Sequence, residues 1–184
     1  MTARKGSWMQ TFTGKAYWPM DPRASEVDII DVAHALSMLC RYTGHVSRFY
    51  SVAEHSVYVS RLVPPEHAMC GLLHDATEAY VNDLARPLKR HMPLYKEVEH
   101  RNWLAVAERF DLPQVIPDEV HEADSAICTA EQRELMLPPP MPWDTPERAD
   151  AMRVPIVGLD PARAKSLFLR RYHELAYPWL PEAA

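Results

Sequence analysis

Ser51-Val52-Ala53-Glu54-His55-Ser56-Val57-Tyr58-Val59-Ser60-Arg61-Leu62-Val63 is the stretch that decides the fold class. Val52, His55, Val59 and Leu62 recur at the spacing of one helix face, not at the alternation of a strand. Ser51 and Glu54 have the form of a capping box, hydroxyl and carboxylate satisfying reciprocal backbone donors, and Pro64-Pro65 stops the helix. On the N-terminal side, Ile29, Val32, Ala33, Leu36, Leu39 and Cys40 mark an earlier helix from Asp28, with Gly44 as its expected stop. On the C-terminal side, Pro65 suits the first turn of a third helix, expected to continue through Tyr80.

A short connection then opens at Asn82 and Asp83 and contains Pro87. A fourth helix is expected from Pro93 to Phe110. Pro113 and Pro117 separate it from a fifth, Asp118 to Met136. Leu137-Pro138-Pro139-Pro140-Met141-Pro142 forces an extended connection, because each proline fixes φ and removes a donor. A short helix after Thr145-Pro146 and a longer one from Pro161 to Tyr177 complete the pattern. Residues 1–27, broken by Gly14, Pro19 and Pro22, read as irregular, and only Val154 to Leu159 resembles a strand. The expectation is an all-α, single-domain protein over residues 1–184. Its motif-bearing core covers about 28–136 and a C-terminal helical extension covers 143–184.

Composition narrows the class. The chain has 184 residues, 47% apolar and 24% charged, enough for one core without disulfides or structural zinc. Five glycines and 17 prolines suit long segments punctuated by proline. Twenty basic against 25 acidic residues, with no basic block, argue against a grip on a nucleic-acid polymer. No stretch approaches the roughly 20 apolar residues of a membrane span, and Met1 to Trp8 lacks the apolar run of a signal peptide. Cys40, Cys70 and Cys128 are odd in number and far apart, which reads as reduced thiols and a cytoplasmic location.

Chemistry is signalled by polar residues on apolar faces. Most of the nine histidines are ordinary: His67, His91, His100 and His173 sit among charged or proline-flanked positions, and His45 follows a helix stop. His34 and His121 stay open between core packing and a supporting role. His55, however, lies on the apolar stripe of its helix, and His74-Asp75 interrupts the most apolar part of the third. Asp124 shares a stripe with Val120, Ala123 and Ile127, while Glu119, Glu122 and Glu131 are expected to face water. A buried carboxylate is costly unless paired, hydrogen-bonded or bound to a metal. One shared divalent transition metal accounts for His55, His74, Asp75 and Asp124 together and leaves positions open for substrate. Glu78, four residues after His74, can reach a water at that site. Asp83 is either a cap for the next turn or an orienting group.

In order and in local context, these residues resemble the H…HD…D signature of HD-domain metal-dependent phosphohydrolases. The strings are Ser-Val-Ala-Glu-His55-Ser, Leu-Leu-His74-Asp75-Ala-Thr-Glu78, Asn-Asp83-Leu and Glu-Ala-Asp124-Ser-Ala-Ile. They are similar to small bacterial 5′-deoxynucleotidases and phage deoxynucleoside triphosphohydrolases over roughly Asp28 to Met136. The resemblance implies an HD-type helical fold, one divalent metal (zinc, manganese, cobalt or iron) on His55, His74, Asp75 and Asp124, and catalytic roles for Glu78 and Asp83. It places Arg41-Tyr42 where the family has an Arg-Trp pair for phosphate and nucleoside, and Lys89 at a phosphate contact. Tyr42 for Trp is the departure. Without the resemblance, Arg41 is equally a cation suiting a helix end, and Lys89 lies beside Arg90 in what reads as a solvated loop.

The implied activity is release of phosphate from 2′-deoxynucleoside 5′-monophosphates. The rivals are tripolyphosphate release from dNTPs at the same site, a non-catalytic metal- and nucleotide-binding sensor, and a purely structural helical protein. Homo-oligomers are expected by resemblance, with Tyr177-Pro178-Trp179-Leu180 as a candidate contact.

Overall fold

A computed structural model describes residues 4–143, 145 and 148–179. The described chain is all-α, apart from a hairpin of two-residue strands. The helices are α1 (Ile29–Met38), α2 (Val52–Leu62), α3 (Ala68–Leu73), α4 (Glu78–Val81), α5 (Arg86–Lys89), α6 (Pro93–Phe110), α7 (Asp118–Leu135) and α8 (Pro161–Ala176). Among the described residues, no helix is long and apolar enough to cross a membrane.

α2 lies at the centre, packed by α1, α3, α7 and α8. All its residues from Val52 to Ser60 are buried, so the stripe that defines the helix is only part of its contact surface. α8 supplies fully buried Ala164 and Phe168 to the same core. Ser51 caps α2 by accepting a hydrogen bond from the Glu54 amide at 3.1 Å. The other half of the expected capping box is absent. The Glu54 carboxylate instead accepts the amides of Val157, Gly158 and Leu159 at 3.1, 3.1 and 2.6 Å, and the Tyr58 hydroxyl at 2.9 Å. Val154 to Leu159 is therefore not a strand: the amides of its last three residues are taken by a buried carboxylate, and Val154 donates to the Ala151 carbonyl. A Cβ on Gly158 would stand 2.8 Å from the Phe49 carbonyl, and its φ is +77°, so glycine is required there.

Residues 4–27 hold more regular structure than expected. β1 (Met9–Gln10) pairs antiparallel with β2 (Ala16–Tyr17). Buried Asp31 of α1 anchors the hairpin turn by accepting the amide and hydroxyl of Thr13 at 2.7 and 2.9 Å. Tyr17 is fully buried, stacked on Tyr80 at 3.8 Å and donating to Asn102 at 2.7 Å.

Two helix ends differ from expectation where they build the site. α1 stops at Met38, well before Gly44, because the 39–41 backbone pairs with 50–52: Val52 donates to Leu39 and Arg41 to Tyr50. Tyr42, Thr43 and Gly44 then turn back with φ of 56°, 55° and 81°. The third helix is broken as well. After α3, i→i+3 bonds from Ala76 to Leu73 and from Glu78 to Asp75 tighten the chain before α4. The expected short helix after Thr145-Pro146 begins at residues outside those described; the described part holds a 3-10 turn, Ala151–Arg153. At the C-terminus Tyr177 and Trp179 are exposed, and Leu180 lies outside the described residues.

Candidate metal centre

α2, the turn after α3, and α7 converge at one buried point. Asp124 Oδ1 lies 3.1 Å from His55 Nε2 and 3.9 Å from His74 Nε2. Asp75 Oδ2 lies 3.3 Å from His74 Nε2 and 3.7 Å from His55 Nε2. His55, His74 and Asp124 could hold a metal ion, with ligand atoms all within 4.8 Å of one another. Asp75 faces the same two imidazole nitrogens.

The outer nitrogens of both rings are already fixed. His55 Nδ1 is 2.6 Å from Glu131 Oε1, and His74 Nδ1 is 2.8 Å from the Gly71 carbonyl. With each Nδ1 proton given to an oxygen, the Nε2 lone pairs point at the centre. Both Nε2 atoms are buried without a hydrogen-bond partner among the described residues. Each instead faces a carboxylate oxygen, at 3.1 and 3.3 Å, without a hydrogen bond, and a cation between nitrogen and oxygen satisfies both.

Charge points the same way. Asp75, Asp124 and Glu131 surround one guanidinium, Arg41, whose nitrogens lie 3.5, 4.0 and 3.3 Å from them. Against buried Arg41 and the mostly exposed Arg86, 3.8 Å from Asp124, the three carboxylates leave the centre net negative, which a bound cation offsets. Without one, the cluster draws in a proton: burial pulls the His74 imidazole down, but Asp75 and Asp124 override it and raise it to about 9. Burial pushes the Asp75 carboxyl up, but His74 holds it near 2. Burial likewise raises Asp124, and His55 and His74 override it to keep Asp124 below the ordinary carboxylate range.

Glu131 departs from the sequence reading. It is fully buried, not solvated, and accepts from Tyr50 at 2.8 Å, from Tyr42 and from Arg41, besides holding His55. Burial pushes its carboxyl up, but Arg41 and His55 hold it below the usual range, so it stays ionised. One carboxylate thus fixes a metal-ligand candidate and both members of the Arg41-Tyr42 pair.

Arg41 and Tyr42 form part of the wall of a cavity of about 830 Å³, which Glu78, Arg86, Arg90 and Trp143 also line. Glu78 opens α4, and among the described residues no hydrogen bond or ion pair engages its carboxylate. Burial, Asp75 and Asp83 push its carboxyl well above the ordinary value. Asp83 lines the same cavity but pairs with Lys89 at 3.0 Å. Lys89 is further held by Glu99 at 2.6 Å, so both its carboxylate partners come from the chain. His121 is exposed, and His34 stacks on Phe12 at 3.7 Å in the hairpin turn; neither is among the groups that meet at the centre.

The chain is 38% identical to the uncharacterized protein YfdR of Escherichia coli strain K12 over 171 residues, 92% of this chain and 96% of that protein. The chain belongs to the YfdR family. An uncharacterized protein of Rhodobacter capsulatus is 32% identical over 139 residues, 70% of this chain and 71% of that one. No family model matches. Neither relative's name carries an activity.

In this YfdR-family chain, sequence reasoning missed Glu131 and the cavity residues Arg86, Arg90 and Trp143. Arg86 places Nη2 3.8 Å from Asp124 Oδ2 and is mostly exposed, a freer cation than Lys89. Trp143 belongs to the proline-rich connection, where no periodicity exists to place a side chain. For Glu131 a signal exists: it falls seven residues after Asp124, two helical turns along the same face.

Proposed function

We propose that the protein is a metal-dependent phosphohydrolase of the HD type that releases phosphate from 2′-deoxynucleoside 5′-monophosphates. The observation that carries this reading is the meeting of two unpartnered imidazole nitrogens with Asp75 and Asp124, beside Arg41 and an unengaged Glu78 on a cavity wall. His55, His74, Asp75 and Asp124 would hold the ion, and their nitrogen and carboxylate donors suit zinc, manganese, cobalt or iron. When bound, such an ion supplies Lewis-acid polarisation of the phosphoryl group and lowers the pKa of water.

The protein's own groups do the remainder. Phosphoryl transfer depends mainly on positioning and charge neutralisation. Arg41 presents a planar fork to two phosphate oxygens, held in place by Glu131 behind it. Glu78 exchanges a proton with the attacking water and the departing 5′-oxygen, as the P–O5′ bond breaks and the water oxygen bonds to phosphorus. Asp83, on the same wall, is held by Lys89, which does not itself line the cavity.

One observation favours a second reading. Arg86 and Arg90 add positive charge to the cavity beyond Arg41, which suits a longer phosphate chain and tripolyphosphate release from dNTPs. Both readings are tested with chelator-stripped protein given back single divalent metals and offered dNMPs, rNMPs and dNTPs, with products resolved by chromatography. Phosphate from dNMPs and not from rNMPs is the expected result. Tripolyphosphate from dNTPs alone moves the protein to the second reading, and no product with any metal refutes both.

A further inference from the structure

We infer that Trp143 is the platform on which the substrate's nucleobase stacks, an inference that deepens the nucleotide reading above and rests on it. Trp143 lines the cavity shared with Arg41, Tyr42 and Glu78 and is not part of the hydrophobic core. A tryptophan is a large apolar surface, and this one stays more than one-third exposed at a cavity wall. Its ring stands 5.8 Å from that of Tyr42, tilted by 48°.

Tyr42 is not free to move, since its hydroxyl donates to Glu131 and the Arg41 guanidinium lies 5.3 Å from its ring centroid. The guanidinium neighbours Tyr42, and Tyr42 neighbours Trp143, on one cavity wall, the adjacency that phosphate, sugar and base of one nucleotide require. The 5.8 Å spacing and the tilt leave no room for a base between the two rings, so the base lies on the Trp143 face with Tyr42 behind the sugar. The connection is positioned for this: prolines at 138, 139, 140 and 142 restrict its backbone, and Thr145 on its far side meets the Thr129 hydroxyl at 3.1 Å. Leu39, Val52 and Met136 give the same cavity an apolar wall. Every base has a π-face, so such a platform tolerates all four bases, and discrimination among them is weak.

The test uses metal-loaded full-length protein. Deoxyadenosine, which carries the base but no phosphoester, is followed by equilibrium dialysis. KM and kcat are measured for dAMP, dTMP and 2-deoxyribose 5-phosphate. Trp143→Ala is expected to weaken deoxyadenosine binding roughly tenfold to a hundredfold and to raise both nucleotide KM values similarly. kcat and the KM for 2-deoxyribose 5-phosphate stay as in wild type, and Trp143→Phe recovers most of the loss. Wild-type deoxyadenosine binding in Trp143→Ala overturns the platform, as does an equal rise in KM for the baseless sugar phosphate. If dAMP is not hydrolysed but deoxyadenosine binds and Trp143→Ala abolishes that, the hydrolysis reading falls and the platform stands.

Discussion

Glu131→Ala is expected to lower stability by about 3–5 kcal/mol and to weaken metal binding roughly tenfold to a hundredfold. Both effects follow from one carboxylate serving four partners. Without it, Arg41 becomes a mostly buried guanidinium facing Asp75 and Asp124 only at 3.5 and 4.0 Å, and the Tyr42 and Tyr50 hydroxyls lose their acceptor. His55 loses the carboxylate that fixes its ring and directs Nε2 inward. Glu131→Gln separates the contributions: its amide oxygen still accepts hydrogen bonds, but it cannot neutralise Arg41. It is expected to fall between wild type and Glu131→Ala in both urea unfolding and metal dialysis. An alanine variant with wild-type metal affinity would show that His55 is oriented by packing alone.

Glu78→Ala is expected to lose roughly 10² to 10⁴ in kcat while retaining metal and stability. The reason is its lack of structural employment: no hydrogen bond or ion pair engages the carboxylate among the described residues, and its α4 neighbour Tyr80 carries the packing. Burial, Asp75 and Asp83 raise its pKa, the condition under which a carboxyl can both take and return a proton. Glu78→Gln is expected to be equally inactive, since an amide holds the same shape but cannot exchange the proton. Steady-state turnover and metal content, measured on the same preparation, check the claim. An alanine variant with full turnover would remove Glu78 from the chemistry.

The longer helices and the four converging residues were legible because polarity at core positions is rare, whereas the break between α3 and α4 and the short α5 in the expected connection were not. His55, His74, Asp75 and Asp124 each interrupt an apolar stripe, and a stripe fixes which way a side chain faces. Glu131 carries the same kind of signal, but glutamate on a helix is so commonly solvated that its position on the Asp124 face is easily passed over. Features set by distant partners were not legible. The end of α1 depends on backbone pairing with 50–52, and the strand-like look of Val154 to Leu159 yields to a carboxylate about 100 residues earlier. Strands of two residues in β1 and β2 are too short for alternation to register. Lys89 reads as a cation in any sequence window; that Glu99 and Asp83 engage it follows from how α5 meets α6 and the connection before α5.

Metal stoichiometry tests the central claim most directly. Chelator-stripped protein is dialysed against zinc, manganese, cobalt or iron(II) singly, and bound metal per chain is measured for wild type and His74→Ala. The account predicts one tightly bound ion per wild-type chain for at least one of these metals, and its loss in His74→Ala with the helical fold retained by circular dichroism. Wild-type protein that binds none of them stoichiometrically, or His74→Ala that binds as wild type does, would contradict it.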